Sequence, residues 1–144
     1  MLSVQYATEL PATRLQEGIQ QIFDPIRKKW LVCTPEEWVR QCFLLFLTVQ
    51  LNYPISFIAV EKEIWVGERK KRFDLLVYDK HHQPFMMIEC KAPSVSLQPA
   101  VLEQLLRYHL SIPVPYLIIT NGPHTKGFWK NNAQLLEMQD WPSW

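Results

Sequence analysis

Pro84-Phe85-Met86-Met87-Ile88-Glu89-Cys90-Lys91 and, upstream of it, Arg72-Phe73-Asp74-Leu75-Leu76-Val77-Tyr78 decide the fold of this chain. Both are apolar runs of strand length, and the polar turn Asp79-Lys80-His81-His82-Gln83 separates them. They read as two strands of a buried sheet joined by a hairpin. Side chains alternate faces along a strand, so Glu89 and Lys91 share one face, and a neighbouring strand can bring Asp74 beside them. Two carboxylates and an ammonium on a mostly buried sheet are costly unless they are paired or bind a metal.

Working outward, Ile55 to Glu61 and Glu63 to Val66 are rich in strand formers, and Gly67-Glu68 suggests a turn before the Asp74 strand. A meander of three antiparallel strands is the simplest reading. Upstream, Thr34-Pro35-Glu36-Glu37 is a helix start: Thr34 as N-cap, Pro35 as first helical residue, and two glutamates at the positive helix end. Trp38, Cys42, Leu45, Phe46 and Val49 follow helical spacing, and the helix should stop near Leu51-Asn52, before Pro54. Downstream, Ala92-Pro93-Ser94 breaks the run, and Leu97 to Leu110 returns to helical spacing. Tyr116 to Thr120 is then a short buried strand, parallel to the Glu89 strand after a crossover.

The flanks carry weaker signals. Residues 1 to 12 read as an extended lead-in and Arg14 to Phe23 as a short helix. Asp24 to Cys33 reads as a loop with room for a short strand at Trp30-Leu31-Val32, and Gly127 to Leu136 as one or two edge strands. Trp129, Trp141 and Trp144 crowd the C-terminal end, where they either cover the core or form a homodimer contact.

With 144 residues, nearly half of them apolar, the chain fits one domain, residues 1–144, with its core at about 34–122. A net charge of +1 gives no bulk basic signal for nucleic acid. A local cluster, Arg69-Lys70-Lys71-Arg72, lies just before Asp74; it is either a DNA contact or a solvated loop or edge-strand guard. Cys33, Cys42 and Cys90 form no C-x-x-C pair, and no signal peptide or membrane-length apolar run is visible. The expectation is a cytoplasmic protein with reduced thiols and no membrane partner. No ligand spacing among the cysteines and His81, His82, His109 and His124 supports zinc.

Phosphodiester hydrolysis needs a nucleophilic water, charge neutralisation and help for the leaving oxygen, and Mg2+ supplies several of these at once. Mg2+ prefers oxygen ligands, with one or two carboxylates. Asp74 and Glu89 are the expected ligands, with the Cys90 backbone carbonyl as a third. Lys91 would orient the attacking water. Glu37 could add a ligand from the first turn of the first helix. Gln104 and Tyr108, four apart, share a face of the second helix, which could point at the metal site or at a DNA backbone. The plainer alternatives are an ion-pair ladder for Asp74, Glu89 and Lys91, dipole stabilisation for Glu36 and Glu37, and ordinary polar contacts for Gln104 and Tyr108.

The order Glu37, Asp74, Glu89-Cys90-Lys91, Gln104 resembles the PD-(D/E)xK nuclease superfamily. More narrowly it is similar to the N-terminal nuclease domain of type I restriction enzyme R subunits and its small stand-alone relatives. The resemblance is carried by Pro35-Glu36-Glu37-Trp38-Val39-Arg40-Gln41, Lys71-Arg72-Phe73-Asp74-Leu75-Leu76-Val77, Ile88-Glu89-Cys90-Lys91-Ala92-Pro93, Gln104-Leu105-Leu106-Arg107-Tyr108 and Thr120-Asn121-Gly122. It implies an α/β fold with an αβββαβ core, a mixed central sheet flanked by helices, and Mg2+-dependent DNA cleavage, with Mn2+ as a substitute ion. It carries over Asp74, Glu89, Lys91, Gln104 and Glu37, with Glu36 competing for the last role. Phe73, not proline, precedes Asp74, and no G-x-x-x-x-G-K-[ST] loop is present, so ATP is not an expected partner. A catalytically silent nucleic-acid-binding or assembly module with the same fold is the alternative.

Overall fold

A computed structural model describes residues 1–144, the side chain of Tyr108 apart. The elements in order are β1 (Thr13–Gln16), β2 (Ile19–Asp24), β3 (Lys29–Val32), α1 (Pro35–Leu45), β4 (Ile58–Val66), β5 (Arg69–Tyr78), β6 (Pro84–Cys90), α2 (Pro99–His109), β7 (Tyr116–Thr120), β8 (Thr125–Asn131) and β9 (Gln134–Glu137). Strands β1–β3 form a small antiparallel sheet. Strands β4 to β9 form a six-stranded sheet in sequence order, antiparallel throughout except for the parallel β6–β7 pair. From α1 to β7 the order is αβββαβ in a mixed sheet, a restriction-endonuclease-like core as the sequence suggests.

Helix α1 starts where the sequence places it. Thr34 is extended, its Oγ1 accepts the Glu37 N–H at 3.0 Å, and Pro35 follows with no N–H to lose. The helix loosens into a π-helical turn at Phe46–Gln50, where the Thr48 hydroxyl donates back to the Leu44 carbonyl at 3.0 Å. Asn52, with φ of 58°, turns the chain before Pro54.

The two helices cover opposite faces of the large sheet. Val39, Phe43 and Leu44 of α1 pack with Leu75, Val77, Met86, Ile88 and Ile118. Leu102 of α2, with Ile112 and Val114 beyond it, packs with Phe73, Leu76, Met87, Leu117 and Ile119. Each fully buried side chain of this size contributes about 1.5–3 kcal/mol of transfer free energy. The residues alternate between the two clusters along β6, as expected of a strand buried on both faces. Trp141 and Trp144 pack against the α1-side core, Trp141 edge-on to Phe46 at 5.2 Å and Trp144 donating Nε1–H to the Tyr78 carbonyl at 2.8 Å. Trp129 is exposed.

Three expectations are corrected. Arg14 to Phe23 is no helix but the β1–β2 hairpin. Glu17 and Gly18 sit at φ of 50° and 79°, and two consecutive positive φ values make the tight turn whose twist matches antiparallel strands. Ile55 to Phe57 forms a single 3₁₀ turn ahead of β4. Ile58 to Val66 is then one continuous strand in which Glu61 alone takes a positive φ, 51°. The segment Arg69 to Arg72 opens β5, and Lys71 within it is buried, so that cluster is not a solvated loop.

Candidate active site

The site lies where β5 and β6 part. Their antiparallel ladder runs from Val77↔Met86 to Leu75↔Ile88, which puts Asp74 opposite Glu89 one step further on. The backbone ladder stops there. The Cys90 N–H donates instead to Asp74 Oδ2 at 2.7 Å, so a side chain takes the place of a strand carbonyl. Beyond this fork β6 stays with β7, pairing Glu89 with Ile119 and Cys90 with Thr120, and the Lys91 N–H donates to the Thr120 carbonyl at 2.8 Å. Strand β5 stays with β4. Phe73 belongs to the α2-side core and Leu75 to the α1-side core, so strict alternation breaks at Asp74, across from Glu61 and its positive φ.

On the α1 side of the fork, charges are gathered and paired. Arg40, nearly buried in α1, donates from Nη2 to Asp74 Oδ1 at 2.9 Å and from Nη1 to Glu37 Oε1 at 2.7 Å. Glu37 also accepts from Arg27 Nη2 at 3.0 Å and from Gln41 Nε2 at 3.2 Å. Arg27, in the β2–β3 turn, pairs with the fully buried Asp24 and reaches Glu61 at 3.1 Å, and Arg72 holds Glu61 as well. Charges this deep persist because each has an opposite partner in hydrogen-bond contact. Against the cost of burial, hydrogen bonds from Arg27 hold the Asp24 carboxyl below its ordinary value. Hydrogen bonding from Arg72 and the charges of Arg40 and Arg27 do the same for Glu61.

On the α2 side the balance is reversed. Burial, and then the charge of Asp74, push the Glu89 carboxyl up to about 8, with Lys91 opposing. His109 Nε2, on α2, stands 3.6 Å from Glu89 Oε1. Burial and the charges of Lys71, Lys130 and Lys91 lower its imidazole to about 4. Near neutral pH the imidazole is uncharged and Glu89 holds a proton, so the two meet as neutral groups and not as an ion pair. The Phe73 ring lies 5.9 Å from the imidazole.

The structure brings only some of the residues singled out in the sequence together. Asp74, Glu89 and the last residue of β6, Cys90, meet at the fork, and Lys91 follows directly, its charge felt by Glu89 and His109. Glu37 is committed to Arg27, Arg40 and Gln41, while exposed Glu36 lies 3.6 Å from Arg40 and adds to the negative field on Glu89. Gln104 is exposed and lines a shallow depression with Ala100, Glu103 and Arg107 on the outer face of α2. The side chain of Tyr108 lies outside the described residues. Of the basic cluster, Arg69 is exposed, Lys70 pairs with Glu63 at 3.3 Å and lies 5.2 Å from the Trp65 ring, Lys71 is buried and Arg72 pairs with Glu61.

Arg40 and His109 are parts of the site that the sequence reading gives no role. Their one signal is placement: each is a polar residue at a position where its helix faces the core, beside Val39 and Phe43 or Leu102 and Leu105. The donor set is hard, two carboxylates with a backbone carbonyl nearby, and Glu89 cannot ionise cheaply beside Asp74 without a cation. The chemistry of these residues fits a small divalent cation, which Asp74 and Glu89 would hold. Among the described residues no group of three His, Cys, Asp or Glu side chains converges as a complete ligand set, so backbone, water or substrate oxygens would have to complete the coordination. No described helix is long and apolar enough to cross a membrane.

The chain is similar to part of a solved structure described as a cryoEM structure of a DrdV-DNA complex, with 19% identity and a TM-score of 0.48; the match covers 72% of this chain and 10% of that one. No curated protein matches. A family model described as Type I restriction enzyme R protein N terminus matches residues 35–142, from the first residue of α1 to just past β9. The match takes in Asp74, Glu89 and Lys91 together with both helices, and the chain belongs to the Type I restriction enzyme R protein N terminus family.

Proposed function

We propose that the chain is a Mg2+-dependent deoxyribonuclease of the PD-(D/E)xK type that hydrolyses phosphodiester bonds in DNA. The observation that carries this is the pairing at the fork: Asp74 and Glu89 stand opposite each other at the end of the β5–β6 ladder, and Asp74 keeps Glu89 from ionising easily. A divalent cation bound there would neutralise charge on the phosphate and lower the pKa of a water. Asp74 and Glu89 would hold the cation, with the Cys90 carbonyl as a further oxygen donor. Lys91 shares the Glu89 face of the strand by alternation, and its ammonium orients the attacking water and offsets charge as the bond breaks. His109, neutral near physiological pH, is an uncharged neighbour of Glu89 at 3.6 Å rather than a competing cation. Glu37 works through Arg40 instead of binding the ion directly, and Mn2+ substitutes for Mg2+.

The family match supports a DNA-related role, and restriction, repair and recombination are the settings in which such a nuclease would act. The test is cleavage of supercoiled plasmid with Mg2+ or Mn2+, comparing the wild-type chain with Glu89→Gln. Metal-dependent nicking lost in the variant is expected; equal nicking by both would remove Glu89 from the site. One observation favours a second reading, a silent nucleic-acid-binding or assembly module. Both Asp74 oxygens already have donors in Arg40 and Cys90, which an abandoned site would also show. That reading expects salt-sensitive DNA binding with no metal-dependent product.

A further inference from the structure

We infer that Arg40 is a positioning residue that holds Asp74 at the fork, and that the N-terminal sheet anchors Arg40 through Arg27 and Glu37. The catalytic consequence rests on the nuclease reading above; the positional claim stands on geometry alone. The two terminal nitrogens of one planar guanidinium grip two different elements: Nη1 donates to Glu37 on α1 at 2.7 Å, and Nη2 donates to Asp74 on β5 at 2.9 Å. Glu37 is itself fixed by Arg27 at 3.0 Å, and Arg27 by Asp24, whose carboxylate also accepts the Ile26 N–H at 2.7 Å and the Arg27 N–H at 3.0 Å. Asp24, Arg27, Glu37, Arg40 and Asp74 thus form a continuous run of contacts from the β2–β3 turn to the fork. With Arg40 on Oδ1 and the Cys90 N–H on Oδ2, each oxygen of the Asp74 carboxylate accepts from a donor on a different element, which fixes its plane.

Stability alone is a poor reason for this arrangement. A buried ionic cluster is often replaceable by apolar side chains at no loss of stability. Arg40 also leaves its buried Nε without a hydrogen-bond partner among the described residues. An unsatisfied buried donor costs on the order of 1–3 kcal/mol. The fold carries that cost at the one place where the guanidinium spans from α1 to Asp74. Asp24 and Arg27 precede residues 35–142, so the chain ahead of the family match takes part in holding the site.

The test uses the whole chain and two readouts. Arg40→Lys keeps the charge but replaces the fork with a single ammonium that cannot reach both Glu37 and Asp74 in the same geometry. The backbone amide of Cys90, followed by NMR, reports whether Asp74 still accepts its hydrogen, with Asp74→Ala as the reference for a lost bond. Single-turnover cleavage of supercoiled plasmid at saturating Mg2+ reports the chemistry. The expected result is a Cys90 signal displaced toward the Asp74→Ala position, with cleavage slower by about 10- to 100-fold while plasmid affinity holds. Glu37→Gln, which weakens the Arg40 anchor without removing volume, moves both readouts in the same direction and serves if Arg40→Lys does not fold. An unchanged Cys90 amide in the folded variants, or wild-type cleavage with only a lowered melting temperature, overturns the inference. If the wild-type chain cuts nothing but the Cys90 amide still shifts in Arg40→Lys, the nuclease reading falls and the positional claim stands.

Discussion

The Cys90 backbone N–H donates to Asp74 Oδ2 at 2.7 Å, across two strands whose backbone ladder has just ended at Leu75 and Ile88. A carboxylate therefore does the work of a strand carbonyl, and the sheet opens at the point where Glu89 and Lys91 emerge. The local fold and the proposed chemistry depend on the same atom, which makes the site sensitive to small changes.

Holding the ion and performing the reaction should separate by residue. Glu89→Gln is expected to weaken Mn2+ binding at least tenfold in calorimetry and to abolish cleavage, because it removes a ligand charge. Lys91→Ala is expected to bind Mn2+ near the wild-type level and still lose cleavage by about 100-fold or more, the usual scale for one well-placed transition-state donor. Mn2+ binding unaffected by Glu89→Gln would place the ion elsewhere.

Glu89 sets a pH dependence whose sign follows from its raised carboxyl. Its ordinary value is 4.5 and its folded value is about 8, so the folded chain binds the proton more tightly than the unfolded chain. The associated stability is fully present below about pH 4.5 and is lost as pH rises through 8. In the metal-free protein, the melting temperature of wild type relative to Glu89→Gln should fall across that window. Mg2+ binding near pH 6.5 should release close to one proton, measured by calorimetry in buffers of different ionisation enthalpy, and release should fade above pH 8. Flat proton release from pH 6 to 9 would contradict the assignment.

If the basic cluster at the end of the β4–β5 hairpin contacts DNA, its exposed members Arg69 and Lys70, the latter paired with Glu63, are the ones to serve. Arg69→Ala and Lys70→Ala should each weaken plasmid binding at low salt and reduce the slope of log affinity against log salt by about one. Lys71→Ala should instead act on stability, since Lys71 is buried on the strand that carries Phe73. An unchanged salt slope in the Arg69→Ala, Lys70→Ala double variant would move the DNA contact off this hairpin.

Gly127, on β8, is expected to be intolerant for packing reasons alone. A Cβ there would clash with the Leu2 Cδ1 atom and meet the Met138 sulfur at 2.9 Å and Ile118 Cδ1 at 3.0 Å. Gly127→Ala should cost about 1–3 kcal/mol by overpacking. Chemical denaturation would show it as a lowered midpoint at unchanged slope; no change would mean that Leu2 and the N-terminal segment swing away freely.

The central core was legible because its signals are local. Thr34-Pro35 caps α1, Gly67 closes the β4–β5 turn, and apolar runs of strand length mark β5, β6 and β7. The N-terminal hairpin was not, because Leu15, Ile19, Ile22 and Phe23 fit a helical period while Gly18 in their midst signals a turn. Asp74, Glu89 and Lys91 could be named as a set from strand alternation and chemistry. The roles of Arg40 and His109 could not: Arg40 meets Asp74 34 residues away, and His109 meets Glu89 only because α2 folds back over the sheet. Nothing in the spacing alone ties Arg27 to Glu37, since that contact exists only once β2 and β3 have paired.

The most direct test of the central claim is cleavage of supercoiled plasmid by the purified chain with and without Mg2+, wild type beside Lys91→Ala, with both confirmed folded. Wild type is expected to show Mg2+-dependent nicking or linearisation, and Lys91→Ala none above background. Cleavage by Lys91→Ala at the wild-type rate, or cleavage by wild type that persists in excess chelator, would contradict the claim.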